Sequence, residues 1–238
     1  MHLFHCTDLV PDLVQLPEEE AHHATHVLRL GVGDRIGLLN GKGVRAEAEL
    51  VEVGRKGCTA RIVSRVEHPR ERTALIHIAI APTKKMDRIE WFVEKAVEIG
   101  VDRITLLRTA RSERVQVRMD RLERVAVTAM KQSQRTWLPT LDPITSLEDV
   151  LKASTFIQRY FGWCEGEHRS FMEVYDPAHD GLILIGPEGD FTPAEADRMN
   201  AQFVQPITIG SARLRTETAA LAACTWMSLA QQSKAIGS

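Results

Sequence analysis

Apolar and charged residues alternate along the first part of this 238-residue chain. The alternation is most regular in residues 46–53, which predicts a half-buried strand with one face toward solvent. Glycine-bearing turns are predicted at residues 41–43 and 54–57, on either side of that strand. Residues 18–30 are predicted to form one short helix. Short strands at this spacing indicate a small β-barrel within residues 1–72.

A different pattern begins after the proline- and charge-rich residues 68–72, which we take as the domain boundary. Predicted strands now appear at residues 74–81, 101–107 and 182–185, and the last is an unbroken apolar run typical of a strand buried on both faces. Residues 87–99 between the first two strands are amphipathic with a helical period. This strand–helix–strand order predicts a parallel sheet, and therefore an α/β domain over residues 73–238.

Two loops in the last quarter of the chain have the same plan. The apolar run at 182–185 stops at Gly186, and the run at 207–209 stops at Gly210. Each is followed by helix signals, a capping box at residues 192–195 and an Ala-rich helix predicted over residues 217–233. Open α/β sheets bind ligands beyond the carboxyl ends of their strands, so we expect these loops to be adjacent and to form one crevice. The alternative is that these glycines only make turns.

That last predicted helix is apolar on most sides. Such a helix is buried, either in the core of its own chain or against a second copy.

Charge is unevenly distributed although the net charge is only −2. Residues 84–135 carry 13 basic and 8 acidic side chains, a local excess of +5. Arg114, Arg118 and Arg121 recur at helical spacing within this segment. Two interpretations fit the pattern equally well: a solvated helix face, or a surface where arginines bind RNA phosphates.

Several classes of protein are disfavoured. The N-terminal residues do not resemble a signal peptide, and no apolar run is long enough to span a membrane. The four cysteines form no CxxC pair and are expected as thiols in a reducing cytosol. His22 and His26 share a helix face, but with no second ligand cluster we predict no metal site. Dinucleotide, P-loop, nucleophile-elbow and zinc-protease motifs are all missing.

Five ordered motifs carry a resemblance that covers nearly the whole chain. They are His23 with 27–29 and 33–34, Glu90 and Lys95 with 98–101, Gln132-Ser133 with Arg135 and Pro139, residues 185–189, and residues 214–219. Together they resemble the 16S ribosomal RNA uridine-N3 methyltransferase family, which belongs to the SPOUT superfamily of knotted methyltransferases.

The resemblance implies a PUA-like β-barrel followed by a SPOUT-type α/β sheet with a C-terminal trefoil knot. It also implies a cytoplasmic homodimer that methylates N3 of a specific uridine in the 16S rRNA of the small ribosomal subunit. The implied cofactor is S-adenosylmethionine. By motif position its pocket would be lined by Ile185, Gly186, Pro187, Gly189, Ile209, Gly210, Leu214, Thr216, Thr218 and Ala219.

Roles for charged residues follow from the same resemblance. Arg215 is the candidate that stabilises the developing uridinate, and Glu188 or Glu217 is the candidate base. For Glu217 a purely structural role beside the helix N-terminus fits equally well. The expected RNA contacts are Arg29, Arg111, Arg114, Arg135 and Arg213.

One motif departs from the family pattern. The family places an arginine at position 212, where this chain has Ala212, and Arg213 follows one place later. Arg213 is therefore the candidate to supply the missing guanidinium.

Two other classes of function remain open. One is an RNA-binding or assembly factor without catalytic activity, which the intact glycine loops disfavour. The other is a small-molecule α/β enzyme with a β-barrel appendage, which the basic segment and the missing nucleotide motifs disfavour.

Overall fold

A computed structural model describes residues 1–54, 57–114 and 116–236. By its internal contacts the chain divides into two compact units. The first unit is Met1–Glu71 with Val127–Leu138, and the second is Arg72–Ala126 with Pro139–Ser238. The two predicted domains, 1–72 and 73–238, stay a prediction; by contacts, residues 127–138 group with the N-terminal part. The turn predicted at 54–57 contains residues 55 and 56, which lie outside the described residues.

A five-stranded sheet forms the first unit. Its strands are β1 (Leu3–His5), β2 (Leu13–Gln15), β3 (Arg35–Leu39), β4 (Val44–Gly54) and β5 (Gly57–Glu67), in the order β1-β3-β4-β5-β2. All neighbours are antiparallel except β1 and β3. The predicted alternation in β4 is confirmed, because Ala46, Ala48 and Leu50 are buried and the charged residues between them are less so. Gly41 and Gly43 both have positive φ, as the predicted hairpin turn requires.

The helix predicted over residues 18–30 is wrong beyond its first turn. Helix α1 covers Glu18–His22, and a π-helical turn follows over His23–Val27. The amide of Leu28 donates to the carbonyl oxygen of His23, five residues back, at 3.0 Å. Arg29 then adopts a φ of 56°, which ends helical geometry before Gly31 is reached.

The second unit contains a six-stranded sheet in which every neighbouring pair is parallel, as predicted. Its strands are β6 (Ile76–Ile80), β7 (Arg103–Arg108), β8 (Thr140–Ser146), β9 (Gln158–Gly162), β10 (Gly181–Ile185) and β11 (Gln205–Ile207). The order is β11-β9-β10-β6-β7-β8. Strand β9 lies between β10 and β11, so the two glycine loops follow strands that are not direct neighbours.

The remaining helices are α2 (Met86–Ile99), α3 (Met119–Gln132), α4 (Leu147–Ala153), α5 (Phe171–Val174), α6 (Pro193–Ala201) and α7 (Thr216–Ile236). Gly100 ends α2 in the left-handed conformation, and the capping box of Thr192 and Glu195 opens α6 as predicted. The predicted helical spacing of Arg114, Arg118 and Arg121 is wrong. Arg114 and Arg118 precede Met119, where α3 begins.

Both faces of this sheet are covered. Leu182 and Leu184 pack with Phe191 and with Met199 of α6. The alternate positions of β10 face α7, since a Cβ on Gly181 would lie 2.7 Å from Cε of Met227. Strand β10, buried along its whole length, thus places the loop after it between helices on both sides.

Helix α7 is buried on one face only. Ala220, Ala223, Cys224 and Met227 are inaccessible to solvent, whereas Leu229 is 51% exposed. The predicted burial in the core is confirmed for that face, and the homodimer and the trefoil knot stay predictions. No helix within the described ranges is long and apolar enough to cross a membrane.

Candidate functional site

A cavity of about 580 Å³ opens at the carboxyl ends of three strands of the second unit. It is lined by residues that follow β9, by the end of β10 and the loop after it, and by the segment from β11 to the first turn of α7. Gly186 and Gly210 both contribute. The prediction that the two glycine loops form one pocket is therefore confirmed.

Close packing leaves little room for a side chain at Gly186. A Cβ on Gly186 would lie 3.2 Å from the ring of Phe191 and 3.3 Å from its backbone nitrogen. The carbonyl oxygen of Gly186 accepts a hydrogen bond of 3.1 Å from the hydroxyl of Thr216, and both residues are buried. By contrast, a Cβ on Gly210 would meet no atom of the described residues within 4 Å. One wall of the cavity is thus tightly packed, and the other is open.

Most of the predicted cofactor residues line this cavity. They are Ile185, Gly186, Pro187, Ile209, Gly210, Leu214, Thr216 and Ala219. Gly189 lies instead beside the side chain of Arg111, and Thr218 lines a neighbouring cavity. Contact of these two residues with a cofactor stays a prediction.

The neighbouring cavity has a volume of about 440 Å³. It is lined by Asp87, Arg88, Trp91, Arg215, Glu217 and Thr218. Arg215, which is exposed, also lines the first cavity. The predicted catalytic arginine therefore lies where the two cavities meet.

The two candidate bases differ in environment. Glu188 is exposed and lines the first cavity. Glu217 is 6% exposed and lines the second. Its Oε1 lies 3.6 Å from Nε of Arg88, whereas its buried Oε2 has no hydrogen-bond partner in the described part of the chain. A buried carboxylate oxygen without a partner is costly, which indicates that a ligand group could satisfy it.

Comparison with known proteins matches nearly the whole chain. The profile of an RNA methyltransferase domain family matches residues 70–228, and that of an RNA methyltransferase PUA domain matches residues 16–63. This chain belongs to the RNA methyltransferase family. It is 28% identical to the ribosomal RNA small subunit methyltransferase E of Rickettsia conorii, with 87% of this chain and 85% of that protein covered.

Two solved structures are similar to this RNA methyltransferase over almost its full length. One, described as a "probable rRNA-methyltransferase" from Porphyromonas gingivalis, is 36% identical with a TM-score of 0.91 and covers 98% of this chain and 100% of that one. The other is a ribosomal RNA small subunit methyltransferase E from Neisseria gonorrhoeae bound to S-adenosylmethionine. It is 26% identical with a TM-score of 0.84 and covers 96% of this chain and 97% of that one.

In this RNA methyltransferase, Arg111 holds the loop after β10. Its Nη1 donates to the carbonyl oxygen of Gly189 at 2.7 Å and to that of Phe191 at 3.1 Å. The adjacent amide of Ala110 donates to Oε1 of Glu195 at 2.7 Å, and Glu195 also caps α6. The segment after β7 therefore braces one wall of the cavity, and sequence reasoning, which assigned Arg111 to RNA, missed this contact.

The other predicted RNA-binding arginines have varied surroundings. Arg114 donates to the carbonyl oxygen of Lys84 at 2.6 Å, and Arg135 pairs with Glu71 at 3.1 Å. Arg213 is exposed and lines the first cavity. Arg29 is exposed in the first unit. RNA contact by each stays a prediction.

The end of β9 supplies lining residues that sequence reasoning missed. Trp163 and Cys164 follow this strand, and Asp190 faces them from the loop after β10. The amide of Cys164 donates to Oδ2 of Asp190 at 3.1 Å, and burial together with Asp190 raises the pKa of the Cys164 thiol. Residues 156–163 are rich in aromatic and aliphatic side chains and predict a strand, but they do not predict its place in the sheet.

No cluster of potential metal ligands was found among the described residues. The rings of His22 and His26 stack with centroids 4.4 Å apart. The four cysteines are free thiols, and all but Cys164 are buried.

A buried polar chain crosses the other end of the sheet. Nε2 of His77 lies 2.8 Å from the hydroxyl of Thr105, which donates to Oδ2 of Asp142 at 2.5 Å. Asp142 in turn pairs with Arg103. Burial, aided by the positive charge of Arg103, lowers the pKa of His77 to about 4. His77 is therefore neutral in the folded protein near neutral pH.

Proposed function

We propose that this RNA methyltransferase transfers a methyl group from S-adenosylmethionine to N3 of a uridine in the 16S rRNA of the small ribosomal subunit. The observation that carries the proposal is the single cavity formed by the glycine loops, with Arg215 on its wall. Its similarity to proteins named small subunit methyltransferase E, one of them solved with S-adenosylmethionine, supports the donor and the RNA. The choice of uridine N3 rests on the motif resemblance.

The first cavity fits the cofactor. The tight packing at Gly186 lets backbone groups line the wall, while the open space at Gly210 leaves room for a ligand close to the main chain. Its volume of about 580 Å³ lies within the range of small-molecule sites, about 300–1,000 Å³. When bound, S-adenosylmethionine supplies an electrophilic methyl group on a positively charged sulfur.

The protein must help to remove the N3 proton of the uracil. The proton and the incoming methyl group use the same in-plane lone pair of N3, so the proton leaves first. In this proposal Glu217 or Glu188 accepts it; Oε2 of Glu217 has no hydrogen-bond partner among the described residues, and Glu188 lines the first cavity. The resulting negative charge spreads over the uracil carbonyl oxygens, where Arg215 stabilises it.

Two exposed arginines serve RNA binding in this proposal: Arg213 at the wall of the first cavity and Arg29 in the first unit. Arg213 and Arg29 are exposed and can reach phosphate oxygens, which guanidinium groups bind well. The homodimer, the trefoil knot and the cytoplasmic location belong to the same proposal.

The decisive variant is Arg215→Ala. We expect its affinity for S-adenosylmethionine, measured by calorimetry, to stay close to that of the wild type. Methylation of small subunits from cells lacking the enzyme should fall by about 100-fold or more, since loss of one such donor costs this much in other enzymes. Full activity of the variant would contradict the role of Arg215.

A second measurement tests the function as a whole. Mass mapping of 16S rRNA from cells lacking the protein should reveal one missing methyl group on a uridine. No change in the RNA, together with no calorimetric binding of S-adenosylmethionine, would favour an RNA-binding factor without catalytic activity.

A further inference from the structure

The second cavity is lined by charged and aromatic residues that binding of the cofactor in the first cavity does not use. Four of its six lining residues are charged, and a fifth is Trp91, which is 42% exposed. Arg215 belongs to both cavities, so a ligand in the second would lie next to a methyl donor in the first. We propose that the second cavity seats the target nucleobase and that Trp91 stacks on it; this rests on the proposed function.

Trp91 provides the stacking surface. It lies on α2, one turn from Arg88 and on the same side of the helix. Proteins that bind unpaired bases place them against exposed aromatic rings, because every base has a π face. A base inside a paired stack is out of reach of an enzyme, so it must be turned out into such a pocket.

Charged groups beside Trp91 match the edge of a uracil. That edge presents one N–H donor between two carbonyl acceptors. Arg88 and Arg215, which carry guanidinium donors, line the cavity together with Glu217, whose buried Oε2 has no hydrogen-bond partner among the described residues. Cytosine has a lone pair at N3, which would face the carboxylate and be repelled. The same wall therefore selects uracil over cytosine.

A second copy of the chain is the other possible occupant of this cavity. The charged lining argues against it, because the buried centres of protein–protein interfaces are depleted in charged residues. The cavity volume of about 440 Å³ also lies within the range of small-ligand sites, about 300–1,000 Å³.

The test compares Trp91→Ala and Trp91→Phe with Phe203→Ala. Phe203 is 89% exposed in the same unit and lines neither cavity, so it controls for loss of a surface aromatic ring. The assay measures methylation of small subunits from cells lacking the enzyme, over a range of subunit concentrations. Calorimetry measures binding of S-adenosylmethionine, and light scattering measures the mass of the assembly.

We expect Trp91→Ala to raise KM for the subunit by about tenfold, within the range found when a stacking aromatic is removed. Cofactor affinity and mass should not change, Trp91→Phe should recover most of the loss, and Phe203→Ala should behave as the wild type. An unchanged KM in Trp91→Ala would overturn the proposal. So would a change in mass, which would point to a second copy, or a loss that phenylalanine does not restore.

These outcomes separate this proposal from the proposed function. If the wild-type protein neither methylates the subunit nor binds S-adenosylmethionine, both the proposed function and the proposed nucleobase seat fail. If the wild type methylates the subunit and Trp91→Ala does so equally well, only the nucleobase seat fails.

Discussion

The hydroxyl of Thr216 donates a hydrogen bond of 3.1 Å to the carbonyl oxygen of Gly186, 30 residues earlier in the chain. The bond is buried and joins the first turn of α7 to the loop that follows β10. One side chain thereby joins two walls of the first cavity.

Replacing Thr216 by valine should weaken both the fold and the cavity. Valine keeps the shape but leaves the buried carbonyl of Gly186 without its donor, which costs about 1–3 kcal/mol. We expect the free energy of unfolding to fall by this amount and the affinity for S-adenosylmethionine to fall with it. Thr225→Val is the matched control, since that hydroxyl donates to the carbonyl oxygen of Leu221 within the same helix. Equal effects of the two substitutions would show that the cross-link has no special role.

The two cavity glycines should respond differently to alanine. In Gly186→Ala the new Cβ is crowded by Phe191, so we expect a loss of stability of about 1–3 kcal/mol as the ring or the loop shifts. In Gly210→Ala the Cβ meets open space, so stability should be unchanged while cofactor binding weakens. Denaturant unfolding and calorimetry measure the two quantities separately. A Gly210→Ala protein with normal affinity would place the cofactor away from this loop.

Replacing Arg111 by alanine can distinguish its two possible roles, which are support of the loop after β10 and binding of an RNA phosphate. If it braces the loop after β10, Arg111→Ala should weaken S-adenosylmethionine binding several-fold, because two hydrogen bonds to loop carbonyls are lost. If it binds a phosphate, RNA affinity should fall and its salt dependence should decrease by about one unit of slope. We expect the first result. A changed salt slope with normal cofactor affinity would restore the RNA interpretation.

The stability of the protein should depend on pH through His77. Its pKa in the folded protein is about 4, whereas in the unfolded chain it is about 6.5. The unfolded state therefore binds a proton first as the pH falls, and stability is lost between about pH 6.5 and pH 4. The loss from this group should reach about 2 kcal/mol at pH 5. Urea unfolding measures the free energy of unfolding at each pH, and this energy should fall less for His77→Gln than for the wild type between about pH 6.5 and pH 4. An equal fall in both proteins would refute the lowered pKa of His77 as the cause.

Local signals in the sequence predicted much of the fold. The capping box of Thr192 and Glu195 and the alternation in β4 each depend on residues close together in the chain. Such patterns act through neighbouring backbone groups, so they can be read without knowing the tertiary structure. The π-helical turn at His23–Val27 could not, because five residues are too few for a hydrophobic pattern to distinguish a π-helical turn from an α-helical one.

The missed features depend on residues far apart in sequence. The sequence of residues 156–163 predicts a strand but does not show that this strand, β9, lies between β10 and β11. The hydrogen bonds of Arg111 reach carbonyls 78 and 80 residues away, and a carbonyl acceptor leaves no mark in the sequence. Glu217 likewise lies 3.6 Å from Arg88, which belongs to another helix 129 residues earlier in the chain.

The first cavity can form only late in the synthesis of the protein, because β9, β10 and β11 all come late in the chain. The three strands that carry the first cavity occur in the last third of the chain, and the final wall needs residues up to Ala219. Because a polypeptide emerges from its N-terminus, a nascent molecule completes every segment of the first unit well before the pocket can close. A product truncated before β11 would keep those segments but have no place to hold a methyl donor.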